Sequence, residues 1–318
     1  MSARRSRRLA AAIVLAAAVT ALAPALANAA TTATARTSAV NGTKGNGLTI
    51  SNGSPYVVMN GTIVNFHTDV RDLAWNPAGT KAAYIDSYGD LETANANGTG
   101  RVVVAKHPSG QTWSHPTWQT IPAAPFGYYP NKSSFIFVSA VKGVDRLETV
   151  PVTAVNGKPT LLTLNHYSGE GVVPNPLTNN NWPNSGNSTA AKGTIVYDNT
   201  QNGEVYIRDT YLRQQGGAVT KGSEPAVSPN GEEIVFVRSV AGRDHILEGQ
   251  YETVKNKSVF TIRDLTPHAT TNYTEPAFSS NGQTIAFRAA NGTYTLPVSG
   301  THTPVRTSTY TGLAAYRG

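Results

Sequence analysis

Two segments of the chain repeat one another closely enough to limit the architectures open to it. The first reads Glu224-Pro225-Ala226-Val227-Ser228-Pro229-Asn230-Gly231 and is followed by Ile234-Val235-Phe236. The second reads Glu275-Pro276-Ala277-Phe278-Ser279-Ser280-Asn281-Gly282 and is followed by Ile285-Ala286-Phe287. A third, Leu73-Ala74-Trp75-Asn76-Pro77-Ala78-Gly79, leads to Ala82-Ala83-Tyr84. Gly231 and Gly282 lie 51 residues apart, and Gly79 and Gly231 lie 152 apart, close to three such periods. Two degenerate copies fill the interval. Tyr129-Pro130-Asn131-Lys132 precedes Phe135-Ile136-Phe137, and Trp182-Pro183-Asn184 leads through a longer polar loop to Ile195-Val196-Tyr197. A period of 46–53 residues carrying three or four short strands describes a propeller blade. A four-stranded sheet buries neither face alone and must stack on its neighbours around an axis.

The turns agree with this reading. Ten Asn-Gly pairs punctuate the chain, and Asn-Gly is a strong hairpin signal because both residues tolerate the positive φ of a type I′ turn. Between them lie β-rich runs such as Val102-Val103-Val104 and Ile234-Val235-Phe236-Val237, and no segment beyond residue 30 sustains a 3.6-residue apolar period. The fold class is therefore all-β, a β-propeller of six four-stranded blades. Five motif copies run from Trp75 to Phe287, leaving Leu48-Thr49-Ile50, Tyr56 to Met59 and Thr62 to Phe66 at one end and Leu313-Ala314-Ala315-Tyr316 at the other. These predict a last blade closed by strands from both termini, which hides both sheet edges.

Residues 1–29 have the form of a secretory signal peptide: Arg4, Arg5, Arg7 and Arg8, an apolar run from Leu9 to Val19, and an Ala27-Asn28-Ala29 exit. The run is shorter than the ~20 residues a membrane-spanning helix needs. Residues 30–44 read as an Ala/Thr-rich flexible lead-in, and 45–318 as the propeller. The whole chain carries a formal charge of +7, but the four arginines leave with the address. Over the 289 residues that remain, 22 bases face 19 acids, which is no footprint for nucleic acid. The chain has no cysteine, which excludes disulfides, thiolate metal sites, a thiol nucleophile and an N-terminal lipoprotein anchor.

With its Glu-Pro-Ala-(Val/Phe)-Ser-(Pro/Ser)-Asn-Gly-x-x-Ile-x-Phe pattern, the sequence resembles the TolB-like propeller repeat. That repeat also occurs in prolyl-oligopeptidase-type peptidases and oligogalacturonate lyases. The family usually carries Asp where Asn230 and Asn281 stand, in the same turn-forming role. The resemblance covers roughly residues 45–318 and implies an exported six-bladed propeller. It does not carry over the work of the family's name-giver. Residues 30–68 are too few and too rich in Asn and Gly to build that protein's N-terminal α/β domain, and fold alone does not transfer function.

The usual enzyme motifs are absent: no Gly-x-Ser-x-Gly elbow, no His-Glu-x-x-His or His-x-His, and no phosphate-cradling Gly-x-x-x-x-Gly-Lys loop. One constellation remains. Glu224 and Glu275 immediately precede the inner-strand motif, Asp72 stands in a comparable place, and His115 matches it if the second blade carries an insertion through Tyr128. Equivalent residues of a propeller converge on one mouth of the central channel. There they could bind a metal, a cationic group or a sugar, or act as an acid/base set. Alternatively, each acid serves only as an acceptor for backbone donors near its strand. The seven histidines lack ligand spacing, which counts against the histidine-rich metal site of the oligogalacturonate lyases.

Asp86 to Glu92 reads either as a calcium loop or as a solvated hairpin tip. Trp75, Trp118, Trp182, Phe278 and Tyr316 fall at matching blade positions, either stacking on a ligand or packing between blades. The expected protein is a secreted, non-catalytic, monomeric propeller without metal or cofactor that binds a protein or a cell-envelope glycan. The alternative is a small-molecule- or polysaccharide-cleaving lyase or hydrolase with its site at the channel mouth.

Overall fold

The computed structural model describes residues 40–121, 131–164, 176–187, 191, 193–208, 216–254, 257–300 and 302–318. Every regular element among them is a strand, and the strands form six four-stranded antiparallel sheets. The first blade holds β4 (Arg71–Trp75), β5 (Lys81–Ile85), β6 (Leu91–Asn95) and β7 (Val102–Ala105). The second holds β8 (Gln111–Ile121), β9 (Lys132–Val141), β10 (Val144–Pro151) and the two-residue β11 (Thr160–Leu161). The third runs through β12 (Asn180–Ser185), β13 (Ile195–Asn199), β14 (Glu204–Arg208) and β15 (Gly216–Lys221). The fourth comprises β16 (Ser223–Val227), β17 (Glu233–Val240), β18 (Arg243–Val254) and β19 (Lys257–Asp264), and the fifth β20 (Thr274–Phe278), β21 (Thr284–Ala289), β22 (Gly292–Pro297) and β23 (Val305–Ser308).

The sixth blade mixes both ends of the propeller. β24 (Leu313–Tyr316) is its innermost strand and pairs with β1 (Leu48–Ser51), followed outward by β2 (Tyr56–Met59) and β3 (Thr62–Asn65). The register runs Leu48 opposite Tyr316 to Ser51 opposite Leu313 without a break. Beyond the strand the Arg317 N–H donates to Gly47 O at 2.8 Å, Arg317 Nε donates to Gly79 O, and the guanidinium lies 5.4 Å from the centre of the Trp75 ring. The last blade is thereby tied to the first. Residues 1–39, including the expected signal peptide, lie outside the described residues; Val40 to Gly42 pair with the end of β23 and beyond, through a bridge from Asn41 to Ser308.

Burial follows from the stacking. The second strand of each blade is sandwiched on both faces, so it reads as a continuous apolar run rather than an alternating one: Ile234, Val235 and Phe236 are buried, as are Ile285, Ala286 and Phe287. Each apolar cluster is shared by neighbouring blades. Val237 and Ile246 of the fourth blade pack with Phe278, Ile285 and Phe287 of the fifth. Ile85 and Val104 of the first pack with Trp113, Trp118 and Phe135 of the second. Leu48, Ile50 and Ala314 of the sixth pack with Ala286 of the fifth. At about 25 cal/mol per Å² of apolar surface removed from water, these interfaces supply the main stabilisation of a fold without disulfides.

Candidate functional site

The innermost strand sets the geometry around the axis. In β4, β8, β12, β16 and β20 the pairing register slips between Arg71 and Ala74, Ser114 and Thr117, Asn181 and Asn184, Ser223 and Ala226, and Thr274 and Ala277. Within each slip one residue has a positive φ: Asp72 (56°), His115 (49°), Trp182 (50°), Glu224 (52°) and Glu275 (57°). A non-glycine residue in this region costs about 1–2 kcal/mol. Five-fold recurrence at one register shows that the architecture imposes it. A bulge bends the strand and re-aims a side chain, and here it brings Asp72, His115 and Trp182 to the channel wall. β24 has no slip, and Leu313 lines the channel in the sixth blade.

The predicted residues therefore do share one level of the ring, and Trp182 joins them. Sequence reasoning aligned Trp182 with Trp75, Trp118, Phe278 and Tyr316, but that column in the third blade is occupied by Ser185, which faces Ile195 as Trp75 faces Ala82. Trp182 instead takes the place of Glu224. Its ring lies 3.9 Å from that of His115, centroid to centroid. The true aromatic column packs between blades: Trp75 Nε1 donates to Thr49 Oγ1 and Trp118 Nε1 to Ala74 O, each at 3.0 Å.

Two of the three acids accept from the backbone of the next blade. Asp72 Oδ2 takes the His115 N–H at 3.0 Å, and Glu224 Oε2 takes the Glu275 N–H at 2.6 Å. Each satisfies a donor that the bulge removes from its ladder. Glu275 differs: its Oε1 pairs with Arg288 Nη2 at 2.6 Å, while its Oε2 is buried without a hydrogen-bond partner among the described residues.

Two acids that the sequence reading missed complete the level. Asp198 of β13 accepts the Glu224 N–H at 2.9 Å through Oδ2, and its buried Oδ1 has no partner in another of the described residues. Asp145 of β10 acts electrostatically on both His115 and Asp198. A signal for Asp198 existed. It directly follows Tyr197 of the repeated apolar-x-aromatic strand, where the fourth blade has Val237 after Phe236; the fifth blade has Arg288 there, and Arg288 is the partner of Glu275. A charge at that position marks a side chain turned to the ring.

Burial dominates the electrostatics. It pushes the Glu275 carboxyl up to about 7, with Glu224 and Asp72 adding to the rise and Arg288 opposing it. It pushes Asp198 up to about 6 against the pull of the Glu224 N–H, and raises Glu224 and Asp145. It also holds the His115 imidazole below its ordinary range, despite Asp72 and Asp145.

A cavity of about 570 Å³ runs along the inner strands from this level to the turns at Asn76, Pro229 and Ser280. Its wall mixes aromatic rings (Trp75, Trp182, Phe278, Tyr316), prolines and amide or hydroxyl groups, the composition of a recognition pocket. Among the described residues no group of three His, Asp or Glu side chains is placed to hold a metal ion. In the Asp86 loop, Asp86 Oδ1 accepts the N–H groups of Tyr88 and Asp90, Asp90 Oδ1 accepts from His107, and Glu92 pairs with Arg101. Local donors thus occupy all three carboxylates, as in a hairpin tip. Tyr128 and Tyr129 lie outside the described residues.

No family model matches the sequence, and no curated protein matches it. Among solved structures, a protein described as TolB from Agrobacterium tumefaciens superposes with a TM-score of 0.54 at 15% identity, covering 85% of this chain and 90% of that one. The β-propeller domain of Myceliophteria thermophila Cps50 (Swd1) gives 0.48 at 11% identity, covering 85% and 89%. An oligogalacturonate lyase in complex with manganese gives 0.39 at 14% identity, covering 61% and 54%. The likeness to the first is one of fold: a TolB-like six-bladed propeller.

Proposed function

We propose that this protein is an exported, non-catalytic binding propeller that takes a segment of a protein or of a cell-envelope glycan into its axial channel. One observation carries the reading: Asp72 and Glu224 have their carboxylates engaged by backbone N–H groups of the neighbouring blade. Acids held in this way are scaffold, and the cavity above them offers rings and neutral hydrogen-bonding groups. Export is supported by the basic segment, apolar run and Ala27-Asn28-Ala29 exit. Among the described residues no helix is long and apolar enough to cross a membrane.

The test is binding of the secreted protein to a panel of soluble and insoluble polysaccharides, together with co-purification from envelope extract and medium. Wild type should retain a ligand that Trp182→Ala and Tyr316→Ala lose. A wild type that enriches nothing beyond these variants defeats the reading. N-terminal sequencing should place the mature start near Ala30.

A second reading, a lyase or hydrolase at the same mouth, is favoured by Glu275 alone. A buried carboxyl at about 7 with a free oxygen suits general acid–base work at neutral pH. It requires turnover of a polysaccharide or small-molecule substrate that Glu275→Gln abolishes while leaving binding intact.

A further inference from the structure

Asp72, His115, Asp145, Asp198, Glu224 and Glu275 form a closed circle of electrostatic neighbours. His115 feels Asp72 and Asp145, Asp145 acts on Asp198, Asp198 on Glu224, Glu224 on Glu275, and Asp72 on Glu275. Asp244 adds a further acid beside Glu224. Arg288 is a cation paired within the circle and binds Glu275 Oε1 and Thr274 Oγ1.

Among the described residues, two oxygens flanking Glu224 have no hydrogen-bond partner in another residue. They are Oδ1 of Asp198, 5% exposed, and Oε2 of Glu275, 8% exposed, both buried. A buried acceptor without a partner is destabilising, more so when charged, so a bound donor gains what the protein itself leaves unmet. The acids are too dispersed to form a metal shell. An ammonium carries three N–H donors and a guanidinium five, and these radiate over a wider span. Trp182 stands on the same level in the blade that supplies Asp198, and an indole face attracts such cations.

We propose that the Asp198–Glu224–Glu275 arc, with Trp182 beside it, is a recognition site for an alkylammonium or guanidinium group, its donors directed to the orphan oxygens. The inference rests on the binding reading and names the charge that the channel's ligand brings to this end. The group belongs either to a lysine or arginine side chain of a partner protein or to a free amine.

Calorimetric titration of the protein at pH 8 and low salt tests this with n-butylammonium, n-butylguanidinium, 1-pentanol, and the blocked tripeptides Gly-Lys-Gly and Gly-Arg-Gly. The cationic probes should bind at least tenfold more tightly than 1-pentanol. The double variant Asp198→Asn/Glu275→Gln should lose at least tenfold in affinity, with an unchanged or raised Tm showing that it is folded. Tripeptides that bind at least tenfold more tightly than the small amines assign the site to a protein side chain; equal affinities assign it to a free amine. Binding of 1-pentanol as tight as that of the cations, undiminished binding by the double variant, or no binding of any cationic probe overturns the inference. If the polysaccharide or envelope ligand is still retained in that case, the binding reading stands alone; if it is lost as well, both fall.

Discussion

Glu224 and Glu275 hold the same place in successive blades and do different things. Glu224 supplies an acceptor for the Glu275 N–H, so Glu224→Ala strands a buried donor and should destabilise the protein by about 1–3 kcal/mol. Glu224→Gln, which keeps an acceptor oxygen, should recover most of that loss in chemical denaturation; equal losses in both variants refute a scaffold role. Glu275 governs a pH response. Its folded-state pKa of about 7 lies above the ordinary 4.5, so between these values the folded protein holds a proton that the unfolded chain has released. Stability from this group is complete below pH 4.5 and is lost as pH rises through 7. Glu275→Gln should match wild type near pH 4 and exceed it at pH 8 by on the order of 2–3 kcal/mol, read as a Tm difference that grows with pH. His115, lowered by burial, contributes the opposite slope below its unfolded value, which makes the variant comparison more informative than the raw profile. The acids at 72, 224 and 275 were legible because each sits beside a recognisable inner-strand and turn motif, and His115 because it precedes Pro116-Thr117-Trp118 as Glu275 precedes Pro276-Ala277-Phe278. Asp145 was not, since it comes from a third strand outside the repeated motif, and Asp198 was marked only by a charge following the apolar-x-aromatic strand of its blade, where burial between blades dominates the pattern.

At the scale of elements, the turn glycines of two repeats separate conformational from steric demand. Gly79 and Gly282 both have positive φ, but a Cβ on Gly79 would lie 2.5 Å from Gly318 O, whereas on Gly282 its nearest neighbour is Pro229 Cδ at 3.4 Å. Gly282→Ala should cost about 1–2 kcal/mol. Gly79→Ala should cost more, because it also displaces the segment that ties the last blade to the first, and thermal melts of the two variants rank them. Deleting residues 311–318 removes β24 and bares β1, including Leu48 and Ile50, which are almost fully buried. The expected loss is at least ~3 kcal/mol, or roughly 6–12 °C in Tm; an unchanged Tm refutes the closure. The mixed blade could be read in advance because Leu313 to Tyr316 repeats the inner-strand pattern without a partner nearby in sequence. Trp182 was misplaced for a related reason. Trp-Pro-Asn imitates the turn that follows an inner strand, and only the register slip in β12 reveals it as the bulge within one.

For the whole molecule, each apolar cluster belongs to two blades, so no blade can open without breaking the interfaces on both of its sides. Unfolding in urea followed by tryptophan fluorescence and by far-ultraviolet dichroism should give coincident transitions. Separate midpoints would mean that the ring comes apart in stages. The sixth blade also imposes an order in time. β1, β2 and β3 are complete by Asn65, yet their inner neighbour begins at Leu313, and at 5–20 residues per second its synthesis follows on the order of ten to fifty seconds later. Throughout that interval β1 presents an open row of backbone donors and acceptors. Any strand that borrows this edge must leave before β24 arrives, so the seam that secures the finished ring is also where a nascent chain is most exposed to pairing with the wrong partner.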